Sequence, residues 1–143
     1  MQRKDIVRLI AAIASKEDLF NGNCATFAVA LYRFLNEQGV PTGLIYCGND
    51  EEEGTCHAAI MLGKTILDGS GIITRTRLKE YGLYAHYSKL SEVWVKEYPP
   101  GVPDEGDLTC IWSKTEYDVT EPEFYARIVA QASLCIELAP QEA

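Results

Sequence analysis

Cys56-His57-Ala58-Ala59-Ile60-Met61-Leu62-Gly63-Lys64-Thr65-Ile66-Leu67-Asp68-Gly69 reads as two short strands around a turn. The residues from Cys56 to Leu62 and from Thr65 to Leu67 are apolar and rich in strand formers, and Gly63-Lys64 between them is the place to reverse the chain. If the turn has two residues, positions whose numbers sum to 127 face each other, so Asp68 lies opposite Ala59. Side chains alternate with period two, so Ala59 and His57 share a face. Asp68 is then diagonal to His57 on that face, at a backbone separation of roughly 7–8 Å that side chains can bridge. A turn one residue earlier sets the two directly opposite. A three-residue turn without a bulge sends them to opposite faces.

Upstream of the hairpin, Asn21-Gly22-Asn23-Cys24-Ala25-Thr26-Phe27 reads as a polar turn leading into a helix. Asn23 is a suitable N-cap, and Cys24, Phe27, Ala28, Leu31 and Leu35 fall on one helical face. Gly39 is the expected terminator, with Pro41 just beyond it. Cys24 therefore sits at the positive end of a helix, where a thiolate is favoured. Its backbone N–H is also placed to donate to an oxyanion. The bland reading of Cys24 is a small packing residue on the Phe27 face. Alone, His57 is a hydrogen-bonded core residue in an apolar strand. Asp68-Gly69-Ser70-Gly71 is by itself a turn in which Asp bonds to nearby backbone. Taken together, thiol, base and carboxylate stand in a workable order on elements that can converge. His57 would take the thiol proton and later protonate the leaving group, and Asp68 would orient His57.

Helical spacing of Ile6, Leu9, Ile10 and Ile13 predicts an amphipathic helix over about 3–16. Leu44 to Cys47 predicts a buried strand, 75–81 a helix, 93–97 a strand and 108–112 another strand. A last helix opens at Glu121-Pro122-Glu123, with Phe124, Ile128 and Ala132 on one face. Glu51-Glu52-Glu53-Gly54 is a charged tip, and Pro99-Pro100-Gly101-Val102-Pro103 an extended loop. With no repeat and no boundary in composition, residues 1–143 read as one α+β domain.

The chain carries a net charge of −8, and its basic residues are scattered. That excludes a nucleic-acid stripe or an attraction to anionic lipid. No stretch is long enough for a membrane span, and the short apolar run after Asp5 is not a secretory signal. The five cysteines, at 24, 47, 56, 110 and 135, form no CxxC pair. An odd count speaks for free thiols in a reducing compartment, hence the cytoplasm, and against a ribbon-type zinc site. Neither a metal nor a cofactor is expected, and the expected partner is a protein or peptide substrate. Cys56, beside His57 on a strand, should face the opposite core. Zinc held by Cys47, Cys56 and His57 is ruled out by the same alternation. Ser70 lacks the G-x-S-x-G context and reads as loop. His86 is a reserve base with a plain packing or surface role as the default. Tyr81, Tyr84, Tyr87 and Trp94 are core aromatics by default and cleft-lining residues otherwise.

The run Gly22-Asn23-Cys24-Ala25-Thr26-Phe27-Ala28-Val29-Ala30-Leu31, then Gly39-Val40-Pro41, then His57-Ala58-Ala59-Ile60 and Asp68, resembles the core of papain-like cysteine peptidases. The bacterial transglutaminase-like branch, with its Cys, His, Asp order, is the nearest in pattern. The resemblance covers about residues 20–71. It implies a nucleophile helix packed on an antiparallel sheet, with Cys24 as nucleophile, His57 as base and Asp68 as third member. It also implies amide or isopeptide hydrolysis, or deamidation and acyl transfer. The alternative is a non-catalytic papain-like binding module for a protein partner, of phage or mobile-element origin. Two positions depart from the pattern. No glutamine stands between Gln2 and Cys24 for the oxyanion, leaving Asn21 or Asn23, and Ala58-Ala59 replaces the tryptophan common after the histidine.

Overall fold

The computed structural model describes residues 1–20, 23–49, 56–83, 93–101 and 119–135. In chain order the elements are α1 (Arg3–Ala14), α2 (Cys24–Glu37), β1 (Gly43–Asn49), β2 (His57–Leu62), β3 (Thr65–Asp68), β4 (Gly71–Ile73), α3 (Arg75–Glu80), β5 (Val93–Tyr98) and α4 (Glu121–Cys135). The strands form one antiparallel sheet in the order β4-β3-β2-β1-β5. The fold is α+β, as expected. The expected strand at 108–112, the charged tip at 51–54 and the end of the proline loop lie outside the described residues.

The β2–β3 hairpin forms in the two-residue register. Ile60 pairs with Leu67, Met61 with Ile66 and Leu62 with Thr65. Gly63 adopts φ +61°, the left-handed backbone that lets so short a turn match the strand twist. The chain then reverses again, so that Asp68 pairs with Gly71 and Ile66 with Ile73. Strand β4 is not among the elements expected from the sequence, because its three residues carry no alternation long enough to detect.

Alternation along the strands divides the core in two. Leu44 and Tyr46 of β1, Ala58 and Ile60 of β2 and Leu67 of β3 face a large core shared with α1, α2 and α4. Ile45, Cys47, Ala59 and Ile66 face a smaller core closed by Leu78 of α3 and by Val93. Helix α2 differs from the single-faced helix expected. Every residue from Ala25 to Leu35 except Arg33 is buried. One side packs on the sheet and α4 covers the other, with Phe27 and Phe124 edge to face at 5.5 Å. A helix apolar all round needs partners all round. Arg33 turns to α4 instead, pairing with the buried Glu121 at 3.1 Å and lying over the ring of Tyr125.

The far end of α2 is tied to β1. Asn36 Oδ1 accepts from the Thr42 and Gly101 N–H groups, and its Nδ2 donates to the Tyr32 and Thr42 carbonyls. Gly39 follows at φ +79°, the expected terminator. Among the described residues no helix is long and apolar enough to cross a membrane.

Phe124 holds α4 against α2 and is fully buried. Phe124→Ala should lower the unfolding free energy by about 3–5 kcal/mol, read by urea denaturation. A loss below about 1 kcal/mol would show that α4 does not complete the core.

Candidate active site

In an antiparallel pair the first residue of one strand and the last of its partner lie at the same end. His57 opens β2 and Asp68 closes β3, so the hairpin brings them together by register alone. His57 Nε2 and Asp68 Oδ2 are 2.9 Å apart, and both side chains are almost fully buried. The other oxygen, Oδ1, accepts from the Ser70 N–H at 2.8 Å and from Ser70 Oγ at 2.5 Å. Asp68 thus fulfils both of its sequence readings: one oxygen holds the turn, the other the imidazole. The turn leaves no freedom at its glycines. A Cβ on Gly69 would lie 2.7 Å from Leu19 Cβ, and Gly71 has φ +102°.

Cys24 is the first residue of α2 and is half-buried. Its Sγ lies 4.0 Å from the Cys56 carbonyl oxygen, immediately before β2. Cys24 and His57 line the same small void, and the Cys24 side chain helps to raise the His57 pKa. With Nε2 taken by Asp68, Nδ1 is the ring nitrogen that remains. All three expected residues therefore meet at one end of the sheet.

The cap of α2 differs from expectation. Asn23 occupies the N-cap position, but its backbone is αR and its side chain makes no cap bond. Its Nδ2 donates to the Asp18 carbonyl at 2.9 Å, and its buried Oδ1 has no hydrogen-bond partner among the described residues. One of the two Nδ2 protons is thus committed to the Asp18 carbonyl. Asn21, the other candidate, lies outside the described residues. The Cys24 N–H remains, since the first N–H groups of a helix have no intrahelical acceptor.

Burial pulls the His57 pKa down, but the hydrogen bonds and charges of Asp68 and Cys24 outweigh it and raise it to about 9. Burial pushes Asp68 up, yet the bonds from His57 and Ser70 hold it below the ordinary carboxylate range. The pair is therefore an imidazolium and a carboxylate at neutral pH. Two aromatic rings lean on it. Tyr81, just past α3, stacks on the imidazole at 4.0 Å, and Phe20 lies parallel to it at 5.7 Å. Phe20 and Tyr81 are themselves 5.9 Å apart, so the three rings form a triangle rather than a sandwich. An aromatic face beside an imidazolium favours the cation. Nothing in the sequence linked Phe20 or Tyr81 to His57, because both contacts depend on how α3 and the α1–α2 connection cross the strand ends.

His57 is 2% exposed and Asp68 3%. The void between them and Cys24 is about 10 Å³, lined also by Leu19, Phe27 and Leu31, which is room for a single water. Cys24, half-buried, is the least enclosed residue of the three.

The other thiols are placed differently. Cys47 faces the smaller core, where its Sγ donates to the Leu78 carbonyl at 3.3 Å. Burial first, then the neighbouring Cys56, pushes its pKa up to about 12, so it stays a thiol. Cys56 precedes β2 in a bend, and strand alternation does not reach it. It packs beside the smaller core with Cys47 rather than on the opposite face. None of Cys24, Cys47, Cys56 and Cys135 is in a disulfide. Trp94 packs edge to face on Tyr46 at 6.1 Å, a core role. His86, Tyr84, Tyr87 and Cys110 lie outside the described residues.

The raised His57 pKa has a thermodynamic consequence. Between the unfolded value near 6.5 and about 9, the folded chain binds more of this proton than the unfolded one. The stabilisation is fully present below pH 6.5 and is lost as pH rises through 9. It should amount to about 3 kcal/mol, measured as the pH dependence of urea unfolding, and should vanish from that window in His57→Gln. A flat profile in the parent would overturn the buried ion pair. No protein-family model, curated protein or solved structure matches this chain, so the site is read from its own geometry.

Proposed function

We propose that Cys24, His57 and Asp68 are the triad of a thiol-dependent acyl-transfer site on a papain-like, transglutaminase-like core. The substrate class is an amide or isopeptide of a protein or peptide. Hydrolysis is the first reaction, side-chain deamidation or transfer to an amine the second. The observation that carries this reading is the buried 2.9 Å contact between His57 and Asp68, which lines one small void with a cysteine at a helix start.

The chemistry follows from the charges. The mechanism runs from a thiolate on Cys24 and an imidazolium on His57. The thiolate adds to the carbonyl carbon, and the developing oxyanion meets the Cys24 N–H. As the C–N bond breaks, His57 gives its proton to the leaving amine, and a thioester remains on Cys24. Water or an incoming amine then attacks the thioester and His57 takes its proton. The sulfur leaves as thiolate, which restores the starting state. Asp68 keeps the imidazole aimed throughout.

A second reading, a papain-like scaffold serving as a binding module, is favoured by one observation: the base and its carboxylate are sealed from solvent. Iodoacetamide alkylation followed by peptide mass mapping separates the two, with the exposed Cys135 as internal reference. The catalytic reading expects Cys24 to react faster than Cys135 at pH 6, and expects His57→Ala to slow it at least about tenfold. Equal rates for the two cysteines, unchanged in His57→Ala, would select the binding module.

A further inference from the structure

We infer that Ser70 is a positioning residue of the site, its hydroxyl clamping the Asp68 oxygen that His57 leaves over. The inference deepens the triad reading and rests on Asp68 being the group that orients His57. Asp68 is too buried for water to satisfy its carboxylate, which has about four acceptor positions to fill. Oδ2 is taken by His57, while Oδ1 takes both the N–H and the hydroxyl of Ser70. The terminal torsion of an aspartate is soft and nearly two-fold, so a single bond to the imidazole would leave the carboxylate free to swing or exchange oxygens. Two donors on Oδ1 remove that freedom.

The N–H bond alone is an ordinary turn in which Asp holds backbone two residues on, and any residue at position 70 would provide it. The hydroxyl is what serine adds. Ser70 is exposed, so its side chain has no packing duty, and its described hydrogen bonds go to Asp68. The flanking positions fix its aim, since Gly69 has no room for a side chain and Gly71 holds a left-handed φ. Other groups around Asp68 cannot replace this contact. From β2 comes His57, already on Oδ2, and from before α2 come Leu19 and Phe20, both apolar. Cys24 and Tyr81 meet the imidazole, and Arg77 lies over the Tyr81 ring. A donor on a buried carboxylate favours its charged form.

The test is a ¹³C-carboxyl NMR titration of Asp68 in the full chain, with the signal assigned by its loss in Asp68→Asn. Ser70→Ala should raise the Asp68 inflection by about one pH unit, the effect of one donor on a carboxylate. Ser70→Thr, which keeps a hydroxyl, should return it to the parent position. An inflection unmoved in Ser70→Ala, or moved as far by Thr as by Ala, would overturn the proposal. This readout does not depend on Cys24, so an unreactive thiol in the alkylation assay sinks the catalytic reading without deciding the role of Ser70.

Discussion

An imidazolium and a carboxylate buried together at the end of a hairpin constrain everything placed around them. Removing two charges from water costs several kcal/mol for each ion, and their attraction offsets this only when geometry and the remaining hydrogen bonds are good. Here three of the carboxylate's roughly four acceptor positions are filled. Asp68 gives one oxygen to His57 and the other to the N–H and hydroxyl of Ser70. Replacing the pair by hydrophobic residues would often be neutral or stabilising in such a setting. A buried pair of this kind is therefore poorly explained by stability alone, and better explained by what it does to the sulfur beside it.

The sheet determines how that sulfur arrives. By alternation, His57 and Asp68 belong to the side of the smaller core, with Ala59 and Ile66. Helix α2 packs on the other side, among the residues of the larger core. The two sides meet only at a strand end, which is where β2 begins, β3 ends and α2 starts. Cys24 from one layer and His57 from the other can therefore come together without either element leaving its core. Because α2 is buried all round and pinned by Asn36 at its far end, its first residue has little room to drift.

How much of this was legible in the sequence depended on range. The hairpin could be read because Gly63-Lys64 specifies a local turn, and a two-residue turn fixes parity and hence the meeting of His57 with Asp68. The start of α2 at Cys24 and its stop near Gly39 were local signals too. What failed was what depends on distant chain. The cap assigned to Asn23 is a propensity, and it lost to a bond with the Asp18 carbonyl. The other side of α2 carried no local signal of its partner, since α4 lies far along the chain and meets it through Tyr125 on Phe34 and Glu121 on Arg33. Cys56 was assigned by strand alternation, yet the strand begins one residue after it. Phe20 and Tyr81 carried no signal at all, since only the crossing of separate elements lays them against the imidazole. Ser70 was visible as a turn residue, but its hydroxyl matters only once Asp68 is known to be buried.

Closure of the site sharpens what chemistry it can support. With His57 and Asp68 sealed and a void that holds one water, the imidazolium proton has few places to go. It cannot exchange freely with bulk solvent while the rings of Phe20 and Tyr81 lean on it. If Cys24 is the nucleophile proposed above, a proton held this way is placed to pass to a leaving group at that sulfur rather than to water, as cleavage of an amide demands. On that proposal a substrate carbonyl has to come in from the Cys24 side, because His57 and Asp68 are almost fully buried while Cys24 is half-buried.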